Sequence, residues 1–202
     1  GHAVAQALPS IPENSKVLIL YGDVPLITKD TLKSLLKGVD DESLALLTVQ
    51  LENPTGYGRI IRNFEGNIKA IIEEKDATDE VKDIDEINTG IMALTSNHLH
   101  KLIPMLGNNN AQGEYYLTDL IELANKAGNK IRGYQPDFEQ EVQGVNNRLQ
   151  LCELECWFQS RTAENLIIPG SVRIAVVADS QLQLHKFRPK VSAQTLLNIE
   201  KY

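Results

Sequence analysis

Apolar and polar positions alternate along the chain in two ways, and these predict a succession of strands and helices. Residues 17–21 (VLILY) are apolar without a polar break, the pattern of a strand buried on both faces. The run ends at Gly22-Asp23, with Pro25 beyond it. Residues 44–51 and 87–94 repeat the pattern and predict two more buried strands, the second with Asn88 near its start. Residues 59–62 and 68–72 read as a hairpin joined through 64–67, and 130–134 as a further strand. Helical spacing falls at 3–8, 29–36, 96–105, 114–125 and 148–167. Strands alternating with helices predict an α/β protein with a mixed, mainly parallel sheet. Residues 17–21 are expected at its centre and the hairpin in a small β-rich lobe at its edge.

The segments between these elements carry the polar candidates. Asp23 stands where a strand ends, and ligands of open α/β sheets gather outside the carboxyl ends of strands. Asp23 there suits a ligand or its metal ion, or else a tight turn that caps the helix at 29–36. Residues 53–58 (NPTGYG) form a turn-dense hexapeptide whose glycines let main chain approach something closely. Glu73 follows a strand, and residues 77–86 read as polar and exposed. Asn88 lies among apolar residues, where a buried amide needs partners that a structural contact or a ligand can supply. Residues 107–113 (GNNNAQG) and 137–144 read as loops. Asn146-Asn147-Arg148 opens the last long helix, as cap or as site.

Composition narrows the classes. The 202 residues suffice for one sizeable core, and 42% hydrophobic with 23% charged residues is ordinary for a folded soluble chain. A net charge of −7 argues against a nucleic-acid backbone binder, while a small anionic ligand held by backbone N–H groups and a metal ion remains compatible. No apolar run approaches the roughly 18 to 20 residues that span a bilayer, and the chain reads as cytoplasmic. Cys152 and Cys156 share one helix face and read as reduced thiols. The four histidines are scattered and none completes a nucleophile motif. The chain opens at Gly1-His2 on a helix that precedes the first strand, so a further N-terminal piece is expected ahead of it.

Six segments taken together carry a family signature: YGDVPL, NPTGYGRI, EEKDAT, EINTGI, NNNAQGEYYLTD and VQGVNNRLQL. In order and spacing, over roughly residues 1–167, they resemble the uridylyltransferase domain of the bacterial bifunctional N-acetylglucosamine-1-phosphate uridylyltransferase/glucosamine-1-phosphate acetyltransferase. The resemblance implies a Rossmann-like fold of the nucleotide-diphospho-sugar transferase type over 1–168. It implies that Asp23 and Asn146 hold Mg2+ and that Asn146 also touches substrate. Tyr21 and Gly22 would line the nucleotide-sugar pocket, and Gly58, Glu73 and Asn88 would bind the amino sugar. The implied reaction makes UDP-N-acetylglucosamine and pyrophosphate from UTP and N-acetylglucosamine 1-phosphate, feeding peptidoglycan and lipopolysaccharide synthesis. Alternatives are a different sugar-phosphate nucleotidyltransferase, or a non-catalytic sugar-phosphate or nucleotide-sugar binding module.

The chain departs from the family at both ends. The family's Gly-rich phosphate loop, its following lysine and most of its uracil-recognising residues have no counterpart, and Gly1-His2-Ala3 resembles the tail of that segment. Weak or no transferase activity is therefore expected of the chain alone. Residues 169–202 match neither the family's linker nor its hexapeptide β-helix and read as a divergent tail, with a strand at 172–178 and a helix at 194–199. Because the family's trimer contacts lie largely in that β-helix, the resemblance leaves oligomeric state open.

Overall fold

The computed structural model describes residues 1–167. The strand and helix expected at 172–178 and 194–199 lie outside the described residues. The chain divides into two compact units, Gly1–Leu154 and Glu155–Tyr202. In chain order the first holds α1 (His2–Ala7), β1 (Lys16–Ile19), α2 (Lys29–Lys37), β2 (Ser43–Gln50), β3 (Arg59–Arg62), β4 (Ile68–Ile72), α3 (Asp79–Lys82), β5 (Glu86–Thr95), α4 (Ser96–Leu102), α5 (Asp119–Lys126) and β6 (Lys130–Tyr134). It also holds the start of α6 (Arg148–Ile167).

The sheet is mixed, in the order β4-β3-β5-β2-β6, with β1 also paired to β5. Its parallel content is smaller than the alternation suggested. Among the described residues β2–β6 is the parallel pairing, and β1–β5, β2–β5, β3–β4 and β3–β5 are antiparallel. Strands β1, β2 and β6 do point the same way, but β5 runs against them between β1 and β2. The centre is therefore β5, not residues 17–21. β1 ends at Ile19, is only half-buried and has β5 as its one described partner strand; Leu20 and Tyr21 lie beyond it, 46% and 50% exposed. A strand paired along one edge and thinly covered keeps its apolar side chains partly in water, which a run of apolar letters does not disclose.

β2 and β5 carry the two-sided burial. Leu44 and Leu46 of β2 and Met92 and Leu94 of β5 point to one face, where Leu99 and Leu102 of α4 and Leu120, Ile121 and Ala124 of α5 cover them. Ala45 and Leu47, with Ile91 and Ala93, point to the other, against Leu35 of α2. Period-two alternation over helices on both faces gives the three-layer packing, each fully buried aliphatic contributing about 1.5–3 kcal/mol. The hairpin β3–β4 forms the sheet's edge.

Two boundaries differ for local reasons. The helix expected at 114–125 begins at Asp119, because the Asn110 side chain accepts from the Gln112 and Glu114 amides and holds that stretch as loop. The polar segment 77–86 ends in Glu86, which opens β5 and is buried. Its carboxylate takes Arg62 Nε and Nη2, each at 2.7 Å, and Thr48 Oγ1 at 2.7 Å. A carboxylate so paired can be buried, where an isolated one cannot. In α6, Leu154 is buried whereas Leu149 is 68% and Leu166 42% exposed.

Candidate active site

The site begins at an irregularity in the central strand. Leu46 pairs with Met92 and Thr48 with Asn88, so one residue of β2 faces three of β5, and Gly90 in that stretch takes φ +80°. The bulge is satisfied by its own side chains: Asn88 Oδ1 accepts from Gly90 N at 3.0 Å, Thr89 Oγ1 donates to Leu47 O at 2.7 Å, and Ile91 N donates to Thr89 Oγ1 at 3.2 Å. A side-chain carbon on Gly90 would run into the Tyr21 ring, so bare backbone at the bulge makes room for that aromatic.

Asn88 is buried, and its N–H donates to Gly58 O at 2.8 Å, which draws the end of the NPTGYG turn onto β5. Gly58 is also tight: a carbon there would stand 2.9 Å from Ile71 Cγ2 and 3.3 Å from Glu73 Oε2. Glu73, half-buried just after β4, accepts from Thr118 Oγ1 at 2.8 Å through Oε1. Gly58, Glu73 and Asn88 thus form one cluster at the ends of three strands.

Arg59 holds that cluster from behind. It is 2% exposed; its guanidinium donates to Tyr57 O and to Lys82 O (3.4 and 3.3 Å) and meets Glu74 Oε2 at 2.8 Å. One buried cation therefore binds the residue before Gly58 and the residue after Glu73.

The second group sits in loops. Asp23 is exposed in the turn after β1, where Val24 N reaches Tyr21 O, and Asp23 O accepts from Val145 N at 2.8 Å. A side-chain carbon on Gly144 would stand 3.7 Å from Asp23 Oδ2 and 3.9 Å from Asn146 Nδ2, so both side chains converge on one bare glycine. Asn147, not Asn146, caps α6: Gln150 N donates to Asn147 Oδ1 at 3.0 Å, and Asn146 N donates to Gln150 Oε1 at 2.7 Å. That division of labour leaves the Asn146 amide outside the cap. At Gly22 a side chain would meet nothing within 4 Å, so this residue faces open space.

Tyr21 links the two groups. Burial pushes its phenol up, and the negative charges of Glu73 and then Asp23 push it further in the same direction, which keeps the hydroxyl protonated. A cleft of about 570 Å³ is lined by Tyr57, the residue before Gly58, and by Gly144, together with Gln50, Asn53 and Gln143, while none of the seven expected site residues is among its lining.

Of the seven residues expected at the site, Gly58, Glu73 and Asn88 form one group and Asp23 and Asn146 the other, Tyr21 stands against Gly90, and Gly22 faces open space. Three further residues shape the site. Gly90 has a signal in sequence, a glycine interrupting an apolar strand. Thr118 stands within EYYLTD, but nothing in that hexapeptide says it meets Glu73. Arg59 opens a strand that closes on a second arginine, Arg62, and nothing in the letters says which of the two is buried.

The donor set can be compared with a metal's demands. Among the described residues no group of three or more His, Cys, Asp or Glu side chains gathers to hold an ion. A carboxylate and an amide, both hard oxygen donors, are too few for a closed site but suit an octahedral Mg2+ that keeps waters or takes phosphate oxygens. The residues present fit that ion. Among the described residues no helix is long and apolar enough to cross a membrane.

No protein-family model matches the chain. It is 56% identical over 171 residues to the bifunctional protein GlmU of Marinobacter nauticus, and 54% identical over 170 residues to that of Cellvibrio japonicus. These alignments cover 85% and 84% of this chain and 38% of each relative, so the chain spans a little over a third of their length. Among solved structures, one from Bacillus anthracis described as a glucose-1-phosphate thymidylyltransferase has a TM-score of 0.54 at 18% identity, covering 77% of this chain and 59% of that one. That likeness establishes the fold.

Proposed function

Because the chain belongs to the GlmU family over the stretch it shares with those relatives, we propose that it carries the nucleotide-sugar and metal half of an N-acetylglucosamine-1-phosphate uridylyltransferase. The reaction joins UTP and N-acetylglucosamine 1-phosphate into UDP-N-acetylglucosamine with release of pyrophosphate. We place it in the cytoplasm, in the supply of peptidoglycan and lipopolysaccharide precursors.

The observation that carries this reading is the pairing of two unlike groups across Tyr21. Gly58, Glu73 and Asn88 offer main-chain, carboxylate and amide partners suited to a neutral, hydroxyl-rich sugar, and Asp23 with Asn146 offers hard oxygens suited to Mg2+ and phosphates. Asn88 Oδ1 is committed to Gly90 N, so its Nδ2 is the end that would donate to a sugar oxygen. Thr118 likewise occupies Glu73 Oε1 and leaves Oε2, beside Gly58, to accept from a hydroxyl or amide N–H of the substrate.

The attacking oxygen of a sugar 1-phosphate is anionic near neutral pH, so the chemistry asks for alignment with the α-phosphorus rather than for a general base. The surroundings of the one histidine that is buried among the described residues agree with that. His98 is occupied by Thr95 Oγ1, Asp41 O and the Asn129 amide, and belongs to the packing of α4. Bound between Asp23 and Asn146, Mg2+ would supply charge neutralisation for the phosphates. The chain's own contribution is to hold the sugar by Gly58, Glu73 and Asn88 and to keep the Tyr21 hydroxyl protonated beside the reacting groups.

The test is binding of UDP-N-acetylglucosamine to the full chain with and without Mg2+, followed by pyrophosphate release from UTP and N-acetylglucosamine 1-phosphate. Binding that Mg2+ tightens, that Asp23→Ala returns to its metal-free level and that Glu73→Gln weakens is the expected result. Binding indifferent to metal and to Asp23→Ala would replace this reading with a non-catalytic nucleotide-sugar binder, and absence of binding by folded protein would end both.

A further inference from the structure

Asp23 and Asn146 come from distant parts of the sequence and sit on loops, yet two oxygen donors are useful to one ion only if their separation is held. One direct tie is the Val145 N to Asp23 O hydrogen bond of 2.8 Å. A second lies just upstream. Glu141, in the 3-10 turn Glu139–Val142, is 1% exposed, and its Oε2 accepts from Thr31 Oγ1 at 2.6 Å and from Thr28 N at 3.3 Å. Those donors form the first turn of α2, which the Asp23 turn enters through Pro25; Thr28 Oγ1 caps the same turn by accepting from Thr31 N at 3.2 Å.

We propose, on the functional reading above, that Glu141 is a positioning residue for the metal pair: its buried carboxylate fastens the loop bearing Gly144 and Asn146 to the start of α2 and so sets Asn146 against Asp23. The choice of residue fits the task. A carboxylate out of water persists where donors surround it, and the N-terminus of a helix favours negative charge, so this contact is stronger than the neutral one an amide would make. Its position fits as well. Glu141 lies three residues before Gly144 and five before Asn146, with buried Val142 between as a second anchor, leaving little slack for the loop to drift. The sugar group is tied separately, through Arg59, Thr118 and the β5 bulge, and shares none of these bonds.

The experiment compares wild type, Glu141→Gln, Thr31→Val and the double variant as full chains. It measures Mn2+ affinity by electron paramagnetic resonance in the presence of UDP-N-acetylglucosamine, and the metal-free affinity for that nucleotide sugar. Glu141→Gln is expected to weaken Mn2+ binding about 10-fold, the usual scale for a group that orients a metal ligand. Thr31→Val should weaken it in the same direction, and the double variant should do no worse than Glu141→Gln, since both changes cut one bond. Metal-free nucleotide-sugar affinity should stay within about twofold of wild type, because the sugar group has its own ties. The proposal is overturned if folded variants bind Mn2+ as wild type does, or if metal and sugar affinities fall together. If Glu141→Gln does not fold, Thr31→Val alone decides between these outcomes. Wild type that binds the nucleotide sugar but not Mn2+ would instead overturn the metal-dependent reading on which this inference rests.

Discussion

The two groups of the candidate site are built by different means. Gly58, Glu73 and Asn88 stand at the ends of hydrogen-bonded strands, and a buried arginine, a bulge with satisfied side chains and Thr118 set their positions. Asp23 and Asn146 stand on exposed loops joined by one main-chain bond and by Glu141. Strand ends come already positioned by a core formed for other reasons, whereas loops need dedicated contacts. The sugar group should therefore be rigid and costly to disturb, and the metal group adjustable and sensitive to small polar changes.

Removing Arg59 gives the largest effect expected. Arg59→Met leaves the Glu74 carboxylate and the Tyr57 and Lys82 carbonyls without their buried partner, a loss of about 3–5 kcal/mol in a urea unfolding experiment. If the two groups are built as described, the folded fraction loses nucleotide-sugar affinity while Mn2+ affinity holds. A parallel fall in both would erase the distinction between them.

Gly90→Ala should cost less. The left-handed backbone penalises any side chain by about 1–2 kcal/mol, and the added carbon also displaces the Tyr21 ring that bridges the groups. Calorimetric titration should then show both ligands weakened, the nucleotide sugar more than the metal. An unchanged isotherm would remove Tyr21 from the site.

A smaller effect is expected from pH. Arg62 holds the Glu86 carboxyl below its ordinary value near 4.5, with burial opposing and Thr48 adding to the effect. A carboxyl lowered on folding stabilises the protein above its unfolded value and loses that contribution as the pH falls through the folded one. Urea midpoints of wild type should therefore drop on acidification below about 4.5 more steeply than those of Arg62→Gln, which lacks the partner. Equal slopes would mean that this pair does not set the acid limit of the strand region.

Much of this was legible in the sequence because it depends on local order. The unbroken apolar runs of β2 and β5, the Asn-Pro and Gly-rich turn before Gly58, and the six ordered segments carrying the site residues can all be read from letters in succession. The sequence also suggested burial for 17–21, where the structure shows a half-covered strand, and exposure for 77–86, where Glu86 is buried. In both cases what decides is the neighbour across the sheet, β5 for the first and Arg62 for the second.

By itself, then, the sequence determined the order and type of the elements, the turns that free backbone at Gly58, and the residue types able to meet a sugar and a hard cation. Only the tertiary structure decided that β5 runs antiparallel through the centre, that the Tyr21 ring stands against Gly90, and that Arg59 and Glu141 hold the two groups. Strand direction and the pairing of buried charges depend on groups far apart in the chain. Their free energy exists only once the core has brought those groups together and excluded water from them.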